Sequence, residues 1–166
     1  GAQWPAGWEP PIEDEWVSWV GARYRPPVWD AADSVSGQRS LRASVTHGDV
    51  SGVSQEIILN QAEPRPIALS VWSKLDHSVG NRPPGYHGSD NIPNLYVYAH
   101  HADGTMQEVS PTFSLGESDH DWRCIRAGFM PQKPVEKIRV QVTVLGTEGT
   151  TSLWIDDMAV WEIRND

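Results

Sequence analysis

The chain has 166 residues, 39% hydrophobic and 21% charged, a composition that fits one ordinary globular domain rather than a disordered tail. Against 13 Lys and Arg stand 22 Asp and Glu, a formal charge of −9 that works against nucleic-acid and anionic-membrane partners. No run approaches the ~18 apolar residues of a spanning helix, the opening Gly1-Ala2-Gln3-Trp4 carries no signal-peptide pattern, and Cys124, the only cysteine, excludes an intrachain disulfide and any zinc site built on two thiolates.

Residues 1–12 are rich in Pro and Gly and follow no period, so they read as a linker or irregular lead-in to a single domain over 13–166. A strand is expected somewhere in Trp16 to Tyr24. Alternating apolar runs then follow at Ser40 to Val45, Val53 to Asn60, Pro66 to Lys74, Leu95 to His101, Glu108 to Leu115, Trp122 to Phe129, Ile138 to Leu145 and Leu153 to Ile163. Between them fall Ser36-Gly37, His47-Gly48-Asp49, Asp103-Gly104 and Gly146-Thr147-Glu148-Gly149, residues that supply the positive φ of tight turns. One long polar insertion, Asp76 to Asn94, interrupts the series. No window of helical length keeps a 3.6-residue repeat. The pattern predicts an all-β fold, a two-sheet antiparallel β-sandwich of jelly-roll type.

Alternation also assigns faces, because successive strand residues point to opposite sides of a sheet. Ile138, Val140, Val142 and Val144 form a dry side, leaving Arg139, Gln141 and Thr143 wet. Leu95, Val97 and Ala99 leave Tyr96, Tyr98 and His100 in a row on the other side. Ile67, Leu69 and Val71 leave Ala68, Ser70, Trp72 and Lys74 facing away. If these wet faces belong to one sheet, they make an open surface with Trp72, Tyr96 and Tyr98 as stacking aromatics and Lys74, His100, Arg139 and Gln141 as hydrogen-bonding groups. Nine Trp against two Phe and four Tyr point the same way, since indole pairs a flat apolar face with one N–H donor. That chemistry suits sugar rings. The alternative for Trp72 is burial beneath the Asp76 to Asn94 insertion. Arg outnumbers Lys, which would suit acidic sugars, whereas the net charge favours neutral ones.

Catalytic signals are thin. Glycoside hydrolysis needs two carboxyl groups roughly 5–10 Å apart, yet Glu56 stands alone in its strand and Asp156 and Asp157 point to opposite faces of a regular one. There is no Gly-x-Ser-x-Gly, and Cys124 lies in a strand with no histidine assigned beside it. His100-His101 and Asp119-His120-Asp121 contain metal-ligand residue types, but adjacent strand histidines face opposite ways. Calcium, which takes oxygen ligands in irregular geometry, has better candidates. Glu13, Asp14, Glu15, Asp33 and Asp157 could converge if the terminal strands lie together.

Four segments in order carry a resemblance: Ser36-Gly37-Gln38-Arg39-Ser40-Leu41, Ser54-Gln55-Glu56-Ile57-Ile58-Leu59-Asn60-Gln61, Pro64-Arg65-Pro66-Ile67-Ala68-Leu69-Ser70-Val71-Trp72-Ser73-Lys74 and Leu153-Trp154-Ile155-Asp156-Asp157-Met158-Ala159-Val160. Together they resemble the non-catalytic carbohydrate-binding modules of the family 4/9/22-like jelly-roll group. The resemblance implies a concave face that binds polysaccharide and a structural calcium near the chain ends. It implies a secreted or cell-surface parent protein whose catalytic module this domain would target to its substrate. Trp72 then matches a concave-face aromatic and Asp157 the last-strand calcium ligand, with Glu13, Asp14 or Glu15 as the N-terminal one. Tyr98 stands where many members carry an acid, and the Trp-rich segment of Trp4, Trp8, Trp16, Trp19 and Trp29 has no counterpart. Two other functions fit an all-β sandwich: a small hydrolase or lyase, and a structural module without glycan binding.

Overall fold

The strict alternation of the longer runs is what two apolar sheet faces pressed together require. In the computed structural model, which describes residues 23–78, 93–109, 113–116, 119–146 and 149–164, those runs become two packed sheets. The strands are β1 (Arg23–Tyr24), β2 (Val28–Asp30), β3 (Ser40–Val45), β4 (Asp49–Ile58), β5 (Ile67–Ser78), β6 (Asn94–His101), β7 (Met106–Glu108), β8 (Phe113–Ser114), β9 (His120–Phe129), β10 (Val135–Leu145) and β11 (Thr150–Glu162). The first sheet runs β1-β4-β10-β6-β7, with β8 also on β6, and the second runs β2-β3-β11-β5-β9. Among the described residues, all pairings are antiparallel apart from the parallel β1–β4 pair.

The dry sides assigned from sequence meet in the core. Leu95, Val97, Ala99, Ile138, Val140, Val142 and Val144 of the first sheet face Ile67, Leu69, Val71, Leu153 and Ile155 of the second, all buried. Each such Val, Leu or Ile side chain contributes about 1.5–3 kcal/mol by leaving water, and truncating Leu69 to Ala would cost about 2–5 kcal/mol through the void left behind. The core continues to one end of the sandwich, where buried Gln61 closes the β4–β5 connection. Its side-chain carbonyl accepts from Val135 N–H and its amide donates to Arg65 O, both at 3.1 Å.

Near the other end, buried Asp49 accepts from Arg23 Nη2 at 2.8 Å and Nε at 3.0 Å, and from Thr46 N and Oγ1 at 3.1 and 2.9 Å. These bonds hold β1 in register and close the turn through Gly48, whose φ of 81° suits glycine. Burial pushes the Asp49 carboxyl up, but the Arg23 hydrogen bond and the two Thr46 bonds outweigh it, and the group lies well below the ordinary carboxylate range.

Several expectations change. Within Trp16 to Tyr24 only Arg23–Tyr24 is described, as a strand, and the rest, like the lead-in 1–12, lies outside the described residues. Val28–Asp30 is a strand that alternation did not reveal; it follows Pro26-Pro27, whose fixed φ keeps the backbone extended. Glu108 to Leu115 is not one strand but contributes to two short ones, β7 and β8. The Asp76 to Asn94 insertion starts inside β5, which runs to Ser78, and its residues 79–92 lie outside the described ones. In β11 the register with β5 shifts between Asp156 and Ala159, and Asp157 adopts a φ of 46°. That bulge overturns the expectation that Asp156 and Asp157 face opposite ways, because the extra residue breaks the two-residue period.

Candidate functional site

The outer face of the first sheet is built in rows by strand register. Gln141 of β10 stands between Ser54 of β4 and Tyr96 of β6. In the next row Arg139 stands between Glu56 and Tyr98, with Glu108 of β7 beyond. Lys137 follows, between Ile58 and His100, with Met106 beyond. Five of the seven residues picked from sequence, Tyr96, Tyr98, His100, Arg139 and Gln141, thus form one contiguous half-buried patch. At the patch's edge comes the row of Thr143, Gly52 and Asn94, where a Cβ on Gly52 would run into the Val142 carbonyl oxygen.

Lys137 Nζ donates to Glu56 Oε1 at 3.0 Å. An Arg139 Nη reaches Ser54 Oγ at 3.5 Å and Gln141 Oε1 at 3.4 Å. His100 Nε2 is buried without a hydrogen-bond partner among the described residues, and burial first, then the Lys137 charge, lowers the proton affinity of the imidazole. His101, the next residue, points into the interior at 3% exposure, as strand alternation demands. Glu56 and Glu108 lie three strand spacings apart, about 14 Å at ~4.8 Å each.

Trp72 and Lys74 are not part of this patch, which corrects the single open surface expected from sequence. They sit on β5, which pairs with β11 and β9 in the second sheet, so their outer face looks away from the first sheet's. Pairing order, not alternation, decides this. From Asp30, the last residue of β2, the chain crosses that second face as a strap and is bonded to β11, β5 and β9. Trp154 Nε1 donates to Asp30 Oδ2 at 2.8 Å, and Trp122 Nε1 to Asp33 Oδ1 at 2.8 Å. Lys74 Nζ bonds Asp33 Oδ2 and lies 5.2 Å from the centroid of the Trp154 ring. Asp156 Oδ2 accepts from Val35 N and Ser36 N at 2.9 and 3.2 Å, while Ser36 Oγ donates to Asp157 Oδ1 at 2.6 Å. The Lys74 and Trp122 bonds hold the Asp33 carboxyl below its ordinary range, and the Trp154 indole, then the Ala32 N–H, do the same for Asp30. Two of the nine tryptophans therefore spend their N–H groups fastening this strap, a use that composition alone could not separate from sugar stacking.

The strap bears on the calcium expectation. Asp33 leaves the candidate set, because its oxygens are held by an ammonium and an indole N–H. Asp157 and the Ser36 hydroxyl remain hard oxygen donors of the kind calcium takes. Glu13, Asp14 and Glu15 lie outside the described residues, and among the described ones no three His, Cys, Asp or Glu side chains group to hold a metal. His120 does not offer a free ring nitrogen: Nδ1 faces Asp121 O and Nε2 faces Leu115 O, both at 2.8 Å. Cys124 is a free, half-buried thiol on β9.

No family model matches the chain, and no curated protein does. Solved structures do match in fold. A family 16 carbohydrate-binding module superposes with a TM-score of 0.57 at 14% identity, over 82% of this chain and 86% of that one. The xylan-binding domain CBM22-1 of Xyn10C from Paenibacillus barcinonensis gives 0.54 at 13% identity, over 96% and 88%. An arabinose-bound α-L-arabinofuranosidase gives 0.55 at 16% identity; 95% of this chain aligns with 23% of that one. At such identities the likeness is one of fold. The chain has the two-sheet β-sandwich of the jelly-roll carbohydrate-binding modules.

Proposed function

We propose that this chain is a non-catalytic carbohydrate-binding module that holds a polysaccharide on the outer face of its first sheet. The observation that carries the reading is the row Tyr96, Tyr98 and His100 on β6, set in register beside Gln141 and Arg139 on β10. Phenol rings offer apolar faces for sugar C–H groups, and the amide and guanidinium offer donors to hydroxyl oxygens at the next strand spacing. Trp72 and Lys74 lie instead on the outer face of the second sheet, where Lys74 fastens the strap. The likeness of fold to a carbohydrate-binding module and to part of a larger arabinofuranosidase chain supports a role in bringing an attached catalytic module to its substrate, in a secreted or cell-surface parent protein. A calcium held by Asp157 with one of Glu13, Asp14 and Glu15 would pin the two ends of the chain together, in a purely structural role.

Affinity electrophoresis on a panel of neutral and acidic polysaccharides tests the reading. Retardation by at least one glycan is expected. A flat result across the panel would leave a structural accessory module in its place. Release of reducing ends or unsaturated uronate that stops on changing a single acid would make the chain an enzyme.

A further inference from the structure

Arg139 sits at the centre of the proposed binding face, and its ion-pair partner has been taken. The carboxylate directly across the ladder is Glu56, yet Glu56 Oε1 accepts from Lys137 Nζ at 3.0 Å, one row away. The guanidinium turns instead to Ser54 Oγ and Gln141 Oε1, neutral acceptors at 3.5 and 3.4 Å, the long limit of a hydrogen bond. None of the ion pairs among the described residues includes Arg139. A half-buried charge so weakly satisfied is costly to hold, and its planar fork of N–H donors matches two carboxylate oxygens. With Lys137 and Glu56 neutralising one another, the described residues leave one positive charge in the middle of the face, bordered by Tyr96 and Tyr98. Glu108 lies beyond Tyr98, toward the β7 edge.

We infer that the face selects polysaccharides bearing uronic acids, the sugar carboxylate taking the fork of Arg139 while its ring lies along Tyr96 and Tyr98. This deepens the carbohydrate-binding reading and rests on it. It also runs against the chain's net charge of −9, so the preference must be local: strong at low salt, weakened as salt screens the pair.

The test compares one polymer in two chemical states. The full chain is titrated with polygalacturonate, with the same polymer after reduction of its carboxyl groups, with a sulfated galactan and with neutral β-1,4-xylan. At least tenfold tighter binding to the carboxylate form than to the reduced form is expected, with the gap closing in 0.5 M salt. R139Q should erase the preference and R139K should keep only part of it, since an ammonium carries the charge without the fork. R126Q, which removes an exposed charge from the second sheet, should leave the preference intact. Equal affinity for both forms, or loss of preference in R126Q alone, overturns the inference and leaves the carbohydrate-binding reading standing. Preference for the sulfated polymer over polygalacturonate also overturns it, because the carboxylate is then not the recognised group. No binding to any of the four overturns this inference, and the wider panel then decides the reading beneath it. The two polymer forms give this answer on the unaltered chain, even if an Arg139 variant fails to fold.

Discussion

Replacing Trp72 with Ala separates packing from recognition more cleanly than any other single change. Trp72 is half-buried on the outer face of the second sheet, between Asp156 of β11 and Cys124 of β9. Its strand neighbour Lys74 is tied to the strap through Asp33. A fully buried Trp removes about 150–250 Å² from water; mostly buried, Trp72 removes at least about 100 Å². At about 25 cal/mol per Å² this is worth about 2.5 kcal/mol. For a domain of this size each kcal/mol moves the melting temperature by about 2–4 °C, so W72A should melt about 5–10 °C lower. Its retardation by a glycan that binds the unaltered chain should stay within about twofold, as the residue lies on the opposite sheet from the proposed face. Thermal melts and affinity electrophoresis on the same sample measure both. An unchanged melt with lost retardation would refute the reasoning and move the site to the second sheet.

Three further outcomes follow from particular bonds. In Q61A the buried Val135 N–H loses its acceptor and Arg65 O its donor, which should cost about 2–4 kcal/mol, read as a melting temperature lower by about 5–15 °C. Asp49 has a depressed folded-state pKa, so its contribution is complete above the ordinary Asp value of about 3.9, fades as pH falls below it and is gone below the folded value. D49N keeps the shape, and its acid unfolding curve should be flatter than that of the unaltered chain; identical curves would show the carboxylate to be uncoupled from folding. Should calcium bridge Asp157 to an N-terminal acid, saturation at about 100-fold over Kd adds about 2.7 kcal/mol. EDTA should then lower the melt and D157N should abolish the difference, whereas an unchanged melt in EDTA removes the metal.

Alternation is a local property, and what it controls was legible in the sequence. The residues it assigned to the dry side of β6 and β10 are buried, and Tyr96, Tyr98, His100, Arg139 and Gln141 share one face because β6 and β10 pair directly. Pairing between distant strands is not local. Nothing within Ile67 to Lys74 reveals that this strand adds to β11 and β9, so Trp72 and Lys74 were joined to a face they do not share. Residues that break the period were hidden for the same reason: the β11 bulge becomes visible only where Asp157 leaves the strand register. The strap was equally hidden, since Asp30 and Asp33 find their indole donors at sequence separations of 124 and 89. Three residues of β2 are too few to show a period.

The central claim is that glycan occupies the outer face of the first sheet, and residue-by-residue NMR during titration with a retarding oligosaccharide tests it most directly. The account predicts saturable shifts concentrated at Tyr96, Tyr98, His100, Arg139 and Gln141, with Trp72, Trp122 and Trp154 unmoved. Shifts centred on those three tryptophans instead, with the β6 and β10 row unmoved, would contradict it.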